Sequence, residues 1–351
     1  MWKLIPRTIF TGLTSLLLVC NAGKSHAQEH KLYWGNPDIP VLEQRGFSLG
    51  VNFGLADLWS DVGTKSPVDH YLNGYFDEIR GMGGMFLRYT QVPGLSFRMG
   101  VNYGSLYATD AWNKKKALEA TTTEDDYFQR YLRNLDVRTN IWEGNLMLEL
   151  SPMRLFSNWE FSRTAKRRFQ PVILLGVSAF HYNPQGRSVD LNTGISNWVD
   201  LKPLHTEGEN YSFVGAPENY QLWAYAALVG LGFRVEMGRG LAIGMEYQLR
   251  YAFTDYLDDV SGKYIDPLDH DIAYLGEYGK GALAKNMMDR SREIIPGYKH
   301  QPGEFRGDPD NNDMFSTLSV TFFWRINKRD HGWWNWWGGH RDNSKVYRQN
   351  W

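Results

Sequence analysis

Residues 241–254 read Leu-Ala-Ile-Gly-Met-Glu-Tyr-Gln-Leu-Arg-Tyr-Ala-Phe-Thr, an alternation of large apolar residues with small, polar or charged ones. Successive side chains of a β-strand point to opposite faces, so this stretch predicts a strand with one apolar and one polar face. Strands of globular proteins most often have about 5–6 residues, whereas a strand that crosses a membrane needs about 9–11. The length of the alternation therefore favours a membrane strand.

Seven further segments alternate in the same way, which predicts an eight-stranded antiparallel β-barrel of the outer-membrane type. A closed barrel satisfies every backbone polar group in lipid without long apolar helices. A soluble lipocalin-like barrel is the alternative, but its outer face would be polar, whereas here the large apolar side chains share one face. The seven segments are residues 47–55, 85–91, 95–107, 137–150, 170–181, 220–236 and 314–324.

The connections between these segments differ in length in a regular order. Outer-membrane barrels have short periplasmic turns and long external loops, and an even number of strands returns both chain ends to the periplasm. We therefore expect four external loops and two periplasmic termini. The connections at 92–94 and 237–240 are short, that at 151–169 is intermediate, and those near 56–84, 108–136, 182–219 and 255–313 are long.

The first 27 residues predict a signal peptide. Lys3 and Arg7 precede a short apolar run over 9–19, and Ser25-His26-Ala27 gives the small-x-small pattern of a cleavage site. The apolar run is shorter than the roughly 20 residues that a membrane-spanning helix needs.

Cys20 is the only cysteine of the chain and lies inside this predicted signal. Lipid attachment at Cys20 is an alternative, but Val19 stands where a lipid-attaching signal has a small residue. Without the signal the chain holds no cysteine, which suits an oxidising periplasm. The predicted organisation is a signal peptide at 1–27, a periplasmic segment at 28–45, the barrel at 46–324 and a Trp-rich periplasmic tail at 325–351.

Composition excludes some functions and gives no cofactor motif. The net charge of −1 argues against nucleic acid as a partner, while aromatic residues make up 15% of the chain, as expected for a protein that contacts membrane lipid. No cofactor is expected.

Charged residues fall on the inward face of the predicted strands. The interior of an eight-stranded barrel has room for little more than its own side chains, and a buried charge without a partner is costly. We therefore expect a salt-bridged plug rather than a channel. Its predicted members are Arg88, Arg98, Glu143, Glu149, Arg234, Glu236, Glu246 and Arg250.

Enzyme motifs such as Gly-x-Ser-x-Gly and His-Glu-x-x-His do not occur in the sequence. Acids and one histidine in the last long loop leave open a barrel enzyme that works above the rim, although acids in a long loop are expected to be solvated. These residues are Asp258, Asp259, Asp266, Asp269, His270 and Asp271.

The acidic stretch 308–313, Asp-Pro-Asp-Asn-Asn-Asp, is a calcium hypothesis, because Ca²⁺ prefers oxygen ligands. The glycine and terminal Glu of the helix-loop-helix calcium motif are missing, and such stretches usually form turns.

Four ordered motifs resemble a known family. The stretches 133–146 (Arg-Asn-Leu with Asn-Ile-Trp-Glu-Gly-Asn-Leu), 170–184 and 198–208 are similar to its fourth-strand, fifth-strand and loop motifs. The most specific match is Phe253-Thr-Asp-Tyr-Leu-Asp-Asp-Val-Ser261, which includes Thr254, Asp255, Tyr256, Leu257, Asp258 and Asp259. Together they resemble the PorG-like family of Bacteroidetes outer-membrane barrels, which belongs to the type IX secretion system.

This resemblance implies an eight-stranded barrel without enzymatic activity that anchors or organises periplasmic ring proteins, namely a lipoprotein and its partner. It also implies a role in protein export or gliding motility.

Two segments expected on the periplasmic side could contact such a partner. One is the tail with Trp333, Trp334, Trp336 and Trp337, which could equally lie against the foot of the barrel as an aromatic belt. The other is the basic turn with Arg163, Lys166, Arg167 and Arg168, which could instead lie near anionic headgroups or remain solvated. A free-standing structural or adhesive barrel is the alternative to a secretion subunit.

Overall fold

The computed structural model describes residues 41–64, 79–155, 169–189, 196–209, 217–238, 240–266 and 281–326. The predicted signal peptide, the Trp-rich residues of the tail and the basic residues Arg163, Lys166, Arg167 and Arg168 lie outside these ranges.

Nine strands are present in the described residues, and eight of them close into an antiparallel barrel. Each barrel strand pairs with its neighbours in chain order, and β1 pairs with β9 to complete the ring. The strands are β1 (Gly46–Trp59), β2 (Arg80–Val92), β3 (Leu95–Thr109), β4 (Asp136–Leu150), β5 (Phe169–Val189), β6 (Ser196–Asp200), β7 (Trp223–Gly238), β8 (Leu241–Ala252) and β9 (Met314–Arg325). The predicted eight-stranded antiparallel barrel is confirmed.

Strand bounds differ from the prediction where the alternation is weak. β5 continues beyond residue 181 to Val189, because its last residues pair with β6 in a hairpin above the ring. β2 begins at Arg80 rather than residue 85, although Gly81, Gly83 and Gly84 give its first half no apolar face. Backbone pairing with β1 holds this glycine-rich half in place.

The two faces of the wall follow the alternation. Large apolar side chains point outward and are exposed, for example Phe53 at 62% and Leu231 at 62%. The inward face carries glycines and the charged residues, and these are buried.

The two ends of the barrel differ in the length of the connections that they carry. The chain enters β1 and leaves β9 at the same end, where Ser48 pairs with Arg325. This end, with the connections of 93–94 and 151–168, is the turn end. The opposite end carries loop 1 (60–79), loop 2 (110–135), loop 3 (190–222) and loop 4 (253–313), and their described residues form the loop-end cap.

Short helices occur in the connections. They are α1 (Lys114–Glu119), α2 (Asp126–Arg133), α3 (Pro152–Leu155) and α4 (Gly281–Met288), with 3₁₀ turns at Val41–Glu43, Asp110–Asn113, Lys202–Leu204 and Ser291–Glu293. Asp125 caps α2 by accepting hydrogen bonds from the backbone of Tyr127 and Phe128. Across the described ranges, no helix combines the length and apolar character needed to cross a membrane.

The main hydrophobic core lies at the loop end, where strand residues such as Ile141, Phe180 and Phe315 pack against Leu257 and Met287 of loop 4. A smaller cluster near the turn end contains Leu42, Phe86, Ala242 and Phe323. Between these apolar layers the interior of the barrel is charged.

Candidate functional site

Glu149 is the centre of the charged interior. Its carboxylate pairs with Arg88 at 2.8 Å, with Arg98 at 2.8 Å and with Arg234 at 2.5 Å. All four side chains are at most 1% exposed, so their charges depend on one another for neutralisation. β2, β3, β4 and β7 are thereby joined across the lumen.

Arg98 extends this network to a fifth strand, β8. It pairs with Glu246 of β8 at 2.7 Å, and its guanidinium lies over the ring of Phe86 at 4.2 Å. The stacking covers the apolar face of the guanidinium while its edge nitrogens bind carboxylates.

Glu43 closes the network at the turn end, although it precedes the first strand. Its carboxylate pairs with Arg88 at 3.1 Å and with Arg234, and it accepts a hydrogen bond from the backbone N–H of Gly94 at 2.9 Å. The backbone N–H of Leu42 donates to Glu236 at 3.1 Å. Both Leu42 and Glu43 are fully buried.

The periplasmic assignment of residues 28–45 therefore does not fit its last residues, because Leu42 and Glu43 lie inside the barrel. The alternation could not reveal this, since a 3₁₀ turn before the first strand has no period-2 pattern. Charge counting gave no signal either, because the four arginines predicted for the lumen are balanced by four predicted glutamates.

A second charged layer lies nearer the loop end. Arg250 pairs with Glu143 at 2.8 Å and donates to Thr317 at 2.7 Å, and Asn102 donates to Glu143 at 2.8 Å. Arg250 also stacks on Phe315 of the main core, at 5.1 Å from the ring centre. The predicted lumen residues are all buried, and their side chains fill the interior in two layers.

The family-motif residues lie at the centre of the loop-end cap. Asp258 accepts backbone hydrogen bonds from Val62 at 2.7 Å and from Val260 at 2.9 Å. Asp259 has a left-handed backbone, with φ of 65°, and accepts from the hydroxyls of Thr206 and Tyr220.

The expectation that Asp258 and Asp259 are solvated is wrong, because both are fully buried. Their hydrogen-bond donors come from loops 1, 3 and 4, so each carboxylate holds loops together. Burial raises the pKa of Asp258 to about 7, with the nearby Asp61 charge adding to the rise. It raises the pKa of Asp259 to about 6, against the opposing effect of Arg306.

The other motif residues support the same arrangement. Leu257 donates its backbone N–H to Asp313 at 2.8 Å, and its carbonyl accepts from Thr139 at 2.5 Å. The ring of Tyr256 stacks on Tyr220 of loop 3 with centroids 4.5 Å apart. Thr254 contacts the hydroxyl of Tyr182 at 3.3 Å.

Two arginines bridge the loops. Arg133 of loop 2 forms a bidentate pair with Asp110, at 2.9 and 2.8 Å, and donates to the backbone carbonyls of Asp61 and Arg306 at 2.6 Å each. Arg306 of loop 4 pairs with Glu207 of loop 3 at 3.0 Å. All four loops are thus connected through buried polar contacts.

Carboxyl groups outnumber buried cations in this cap. The sequence pattern did not predict the burial of most of these carboxyl groups, because contacts between distant loops leave no periodicity. Of the residues that the structure describes, the buried cap arginines are Arg133, Arg290 and Arg306, whereas the buried cap acids are Asp61, Asp110, Glu207, Glu209, Asp255, Asp258, Asp259 and Asp313.

The calcium hypothesis for 308–313 finds no support in the geometry. Asp308 accepts from the side chain of Asn311 and the backbone of Asp310, which is a local turn, while Asp313 faces Leu257. Within the described parts of the chain, no group of three or more His, Cys, Asp or Glu could hold a metal ion. Asp269, His270 and Asp271, which the enzyme alternative needs, lie outside those parts.

Comparison with known proteins gives a likeness of fold. No family model and no curated protein matches the chain. Among solved structures, Neisserial surface protein A is 7% identical with a TM-score of 0.31, over 80% of this chain and 97% of that one. The Yersinia pestis attachment invasion locus protein Ail, solved in complex with the heparin analogue sucrose octasulfate, is 8% identical with a TM-score of 0.31, over 79% and 97%.

A major outer membrane protein from Thermus thermophilus is 10% identical with a TM-score of 0.34, over 80% of this chain and 100% of that one. At these identities and TM-scores, none of the likenesses indicates what this chain does.

Proposed function

We propose that the chain spans the outer membrane as a non-conducting, non-enzymatic barrel. The observation that carries this proposal is an exposed apolar wall bounded by two rows of aromatic side chains. Towards the loop end, Tyr103, Trp142, His181 and Trp223 stand opposite one another on β3, β4, β5 and β7. Towards the turn end, Phe47, Tyr89 and Phe97 do the same on β1, β2 and β3.

Such aromatic rows mark the two interfaces of a membrane, and the apolar band between them contacts lipid. The exposed side chains between the rows include Met85 at 63% and Val101 at 55%, which water would not favour. The filled interior supports an anchoring rather than a conducting role. In this orientation the loop-end cap faces outward, and the turn end with both termini faces the periplasm.

We further propose that the barrel anchors periplasmic ring proteins of a type IX secretion or gliding complex, a lipoprotein and its partner. The support is the ordered motif resemblance. The motif residues Leu257, Asp258 and Asp259 are buried among their own loops, so they are suited to hold the cap rather than to contact a partner. β9 ends at Arg325 at the turn end, which favours a partner contact from the tail or the basic turn.

The test is affinity purification of the tagged chain from native outer membranes, with mass spectrometry of the bound proteins. We expect the ring proteins to co-purify with the full chain. Changing Trp333, Trp334, Trp336 and Trp337 to Ala, or Arg163, Lys166, Arg167 and Arg168 to Gln, should reduce their recovery at least tenfold. Removal of residues 327–351 should reduce recovery in the same way as the Trp changes. The truncation begins at residue 327 because the backbone N–H of Ile326 still donates to the carbonyl of Phe47 in the barrel wall.

A matched control changes an exposed apolar residue at the other end, Leu118→Ala, which should leave recovery unchanged. Recovery of the barrel alone, in detergent that preserves the ring, would reject the secretion role and favour a free-standing structural or adhesive barrel. The membrane-spanning barrel itself would stand in that case.

A further inference from the structure

Two buried carboxyl groups in the loop-end cap have oxygen atoms without a hydrogen-bond partner. Neither carboxyl oxygen of Asp255 has one within the described residues, and Oε1 of Glu209 has none. Asp255 is 7% exposed and Glu209 is 1% exposed. The hydroxyl of Ser261 lies near enough to Asp255 to favour its charged form, but not in hydrogen-bonding geometry.

The groups that face these two carboxyls are mostly acids. Asp255 is close to Asp258 on its own loop, to Asp61 of loop 1 and to Glu207 of loop 3. Asp313, at the far end of loop 4, is affected by both Asp258 and Asp255. When ionised, each of these acids would repel a negative charge on Asp255.

Glu209 is in a similar position on loop 3. Its charged neighbours are Asp259, Glu207 and Arg306, and its Oε2 accepts a hydrogen bond from the backbone of Glu207 at 3.2 Å. Tyr220, which is close enough to both Glu209 and Asp259 to feel their charges, donates its hydroxyl to Asp259.

The nearby cations are already engaged. Arg133 is bound by Asp110 and two backbone carbonyls, and Arg306 by Glu207 and the carbonyl of Asp259 at 2.8 Å. An ionised Asp255 would therefore be buried beside like charges with no donor, and an ionised Glu209 with a single backbone donor. A proton on each carboxyl removes both costs.

We propose that the loop-end cap is a proton-operated latch, which holds the four loops together while Asp255 and Glu209 are protonated and loosens when both ionise. The latch does not depend on the partner proposed above or on the direction in which the barrel spans the membrane. Repulsion would act between loops 1, 3 and 4, because the facing acids come from these three loops.

Burial also determines the pH range in which the two carboxyls ionise. Burial, with nearby acids adding to it, raises the pKa of Asp255 to about 9 and that of Glu209 to about 8. Both carboxyls thus keep their protons at neutral pH, and the cap opens as the pH rises through this range. The cap is therefore closed in neutral or acidic surroundings and loosened in alkaline ones.

The experiment measures a distance between two loops in the full chain, reconstituted in phospholipid nanodiscs, across pH 6 to 10. Asn219→Cys in loop 3 and Phe305→Cys in loop 4 give exposed attachment points for spin labels. Cys20, the only native cysteine, is replaced by Ser so that labelling is selective. We expect one narrow distance at pH 6 to 7 and a longer, broader one with a midpoint between pH 8 and 9.

The variant Asp255→Asn with Glu209→Gln should keep the narrow distance throughout, because neither side chain can ionise. Exposed acids elsewhere in the cap, changed as Glu124→Gln in loop 2 and Asp310→Asn in loop 4, should leave the wild-type transition in place. An unchanged wild-type distance from pH 6 to 10, or the same transition in the doubly neutral variant, would overturn the proposal. Should the doubly neutral variant fail to fold, the single variant Glu209→Gln decides. It should keep the narrow distance up to pH 10, because the cap loosens only when both carboxyls ionise; the wild-type transition in this variant would overturn the proposal.

Discussion

Glu43 forms an ion pair with Arg234, 191 residues away in the chain, inside the turn end of the barrel. Glu43 contributes from outside the strands, yet it neutralises Arg88 and Arg234 together with Glu149. Glu43 therefore belongs to the charged interior of the barrel, although it precedes the first strand.

We expect Glu43→Gln to lower the free energy of unfolding by about 3–5 kcal/mol, because removing one partner of a buried ion pair leaves an uncompensated charge. Urea unfolding in lipid vesicles measures it. Exposed Glu119→Gln is the matched control and should change stability by less than about 0.5 kcal/mol. Equal effects of the two variants would contradict a stabilising role for Glu43.

The pair of Arg250 and Glu143 predicts strong non-additivity. Arg250→Met alone and Glu143→Leu alone should each destabilise by about 3 kcal/mol or more, whereas the double variant should cost clearly less than their sum. A double-mutant cycle from the same unfolding curves gives the coupling energy. A coupling near zero would mean that the two charges are solvated rather than paired.

Glycine at position 54 permits the seam between β1 and β9 to close. A Cβ on Gly54 would lie 2.3 Å from the carbonyl oxygen of Leu318 and 2.6 Å from the Cα of Ser319, both of which are backbone atoms that cannot move aside. We expect Gly54→Val to prevent or greatly slow barrel closure, seen as loss of the compact, heat-modifiable band on cold SDS gels.

Gly81→Ala in β2 is the control for this prediction, because a Cβ there meets no atom within 4 Å. It should fold as the wild type does. Equal folding yields for the variants at positions 54 and 81 would show that the seam tolerates a side chain.

The pH dependence of stability has a definite sign in the cap. The pKa of Glu209 is about 8 in the folded chain, above the ordinary 4.5, so the folded state holds its proton more strongly than the unfolded state does. Its contribution is thus favourable at low pH and is lost as the pH rises through about 8. The folded and unfolded states differ in bound protons at Glu209 only between pH 4.5 and about 8. We therefore expect Glu209→Gln to flatten the decline of stability across that range, measured by unfolding at each pH; an unaltered slope would contradict this.

The sequence predicted the wall well and the cap poorly, for one physical reason. In β8 and β9 each side chain must face lipid or lumen, so the alternation of residues such as Tyr247 and Gln248 records the fold directly. In the cap, Asp258 owes its burial to the backbone of Val62, almost two hundred residues away, and no local pattern encodes that contact. The family motif was visible, but its acids were expected in water because long loops usually leave them there.

The lumen residues were predicted better than the cap and less completely than the wall. Their positions followed from the parity of the strands, and their pairing followed from the cost of isolated buried charge. The partner Glu43 was missed because parity has no meaning before the first strand begins.

The pairing of β1 with β9 also sets the order in which the protein can be made. The first strand has its edge unsatisfied until the last strand has been synthesised and exported, since the partner of Gly54 lies at Ser319. Arg98 of β3 likewise lacks one of its carboxylate partners until Glu246 of β8 has been made. The wall can therefore close, and its interior charges can all be paired, only after the last strand has joined the first.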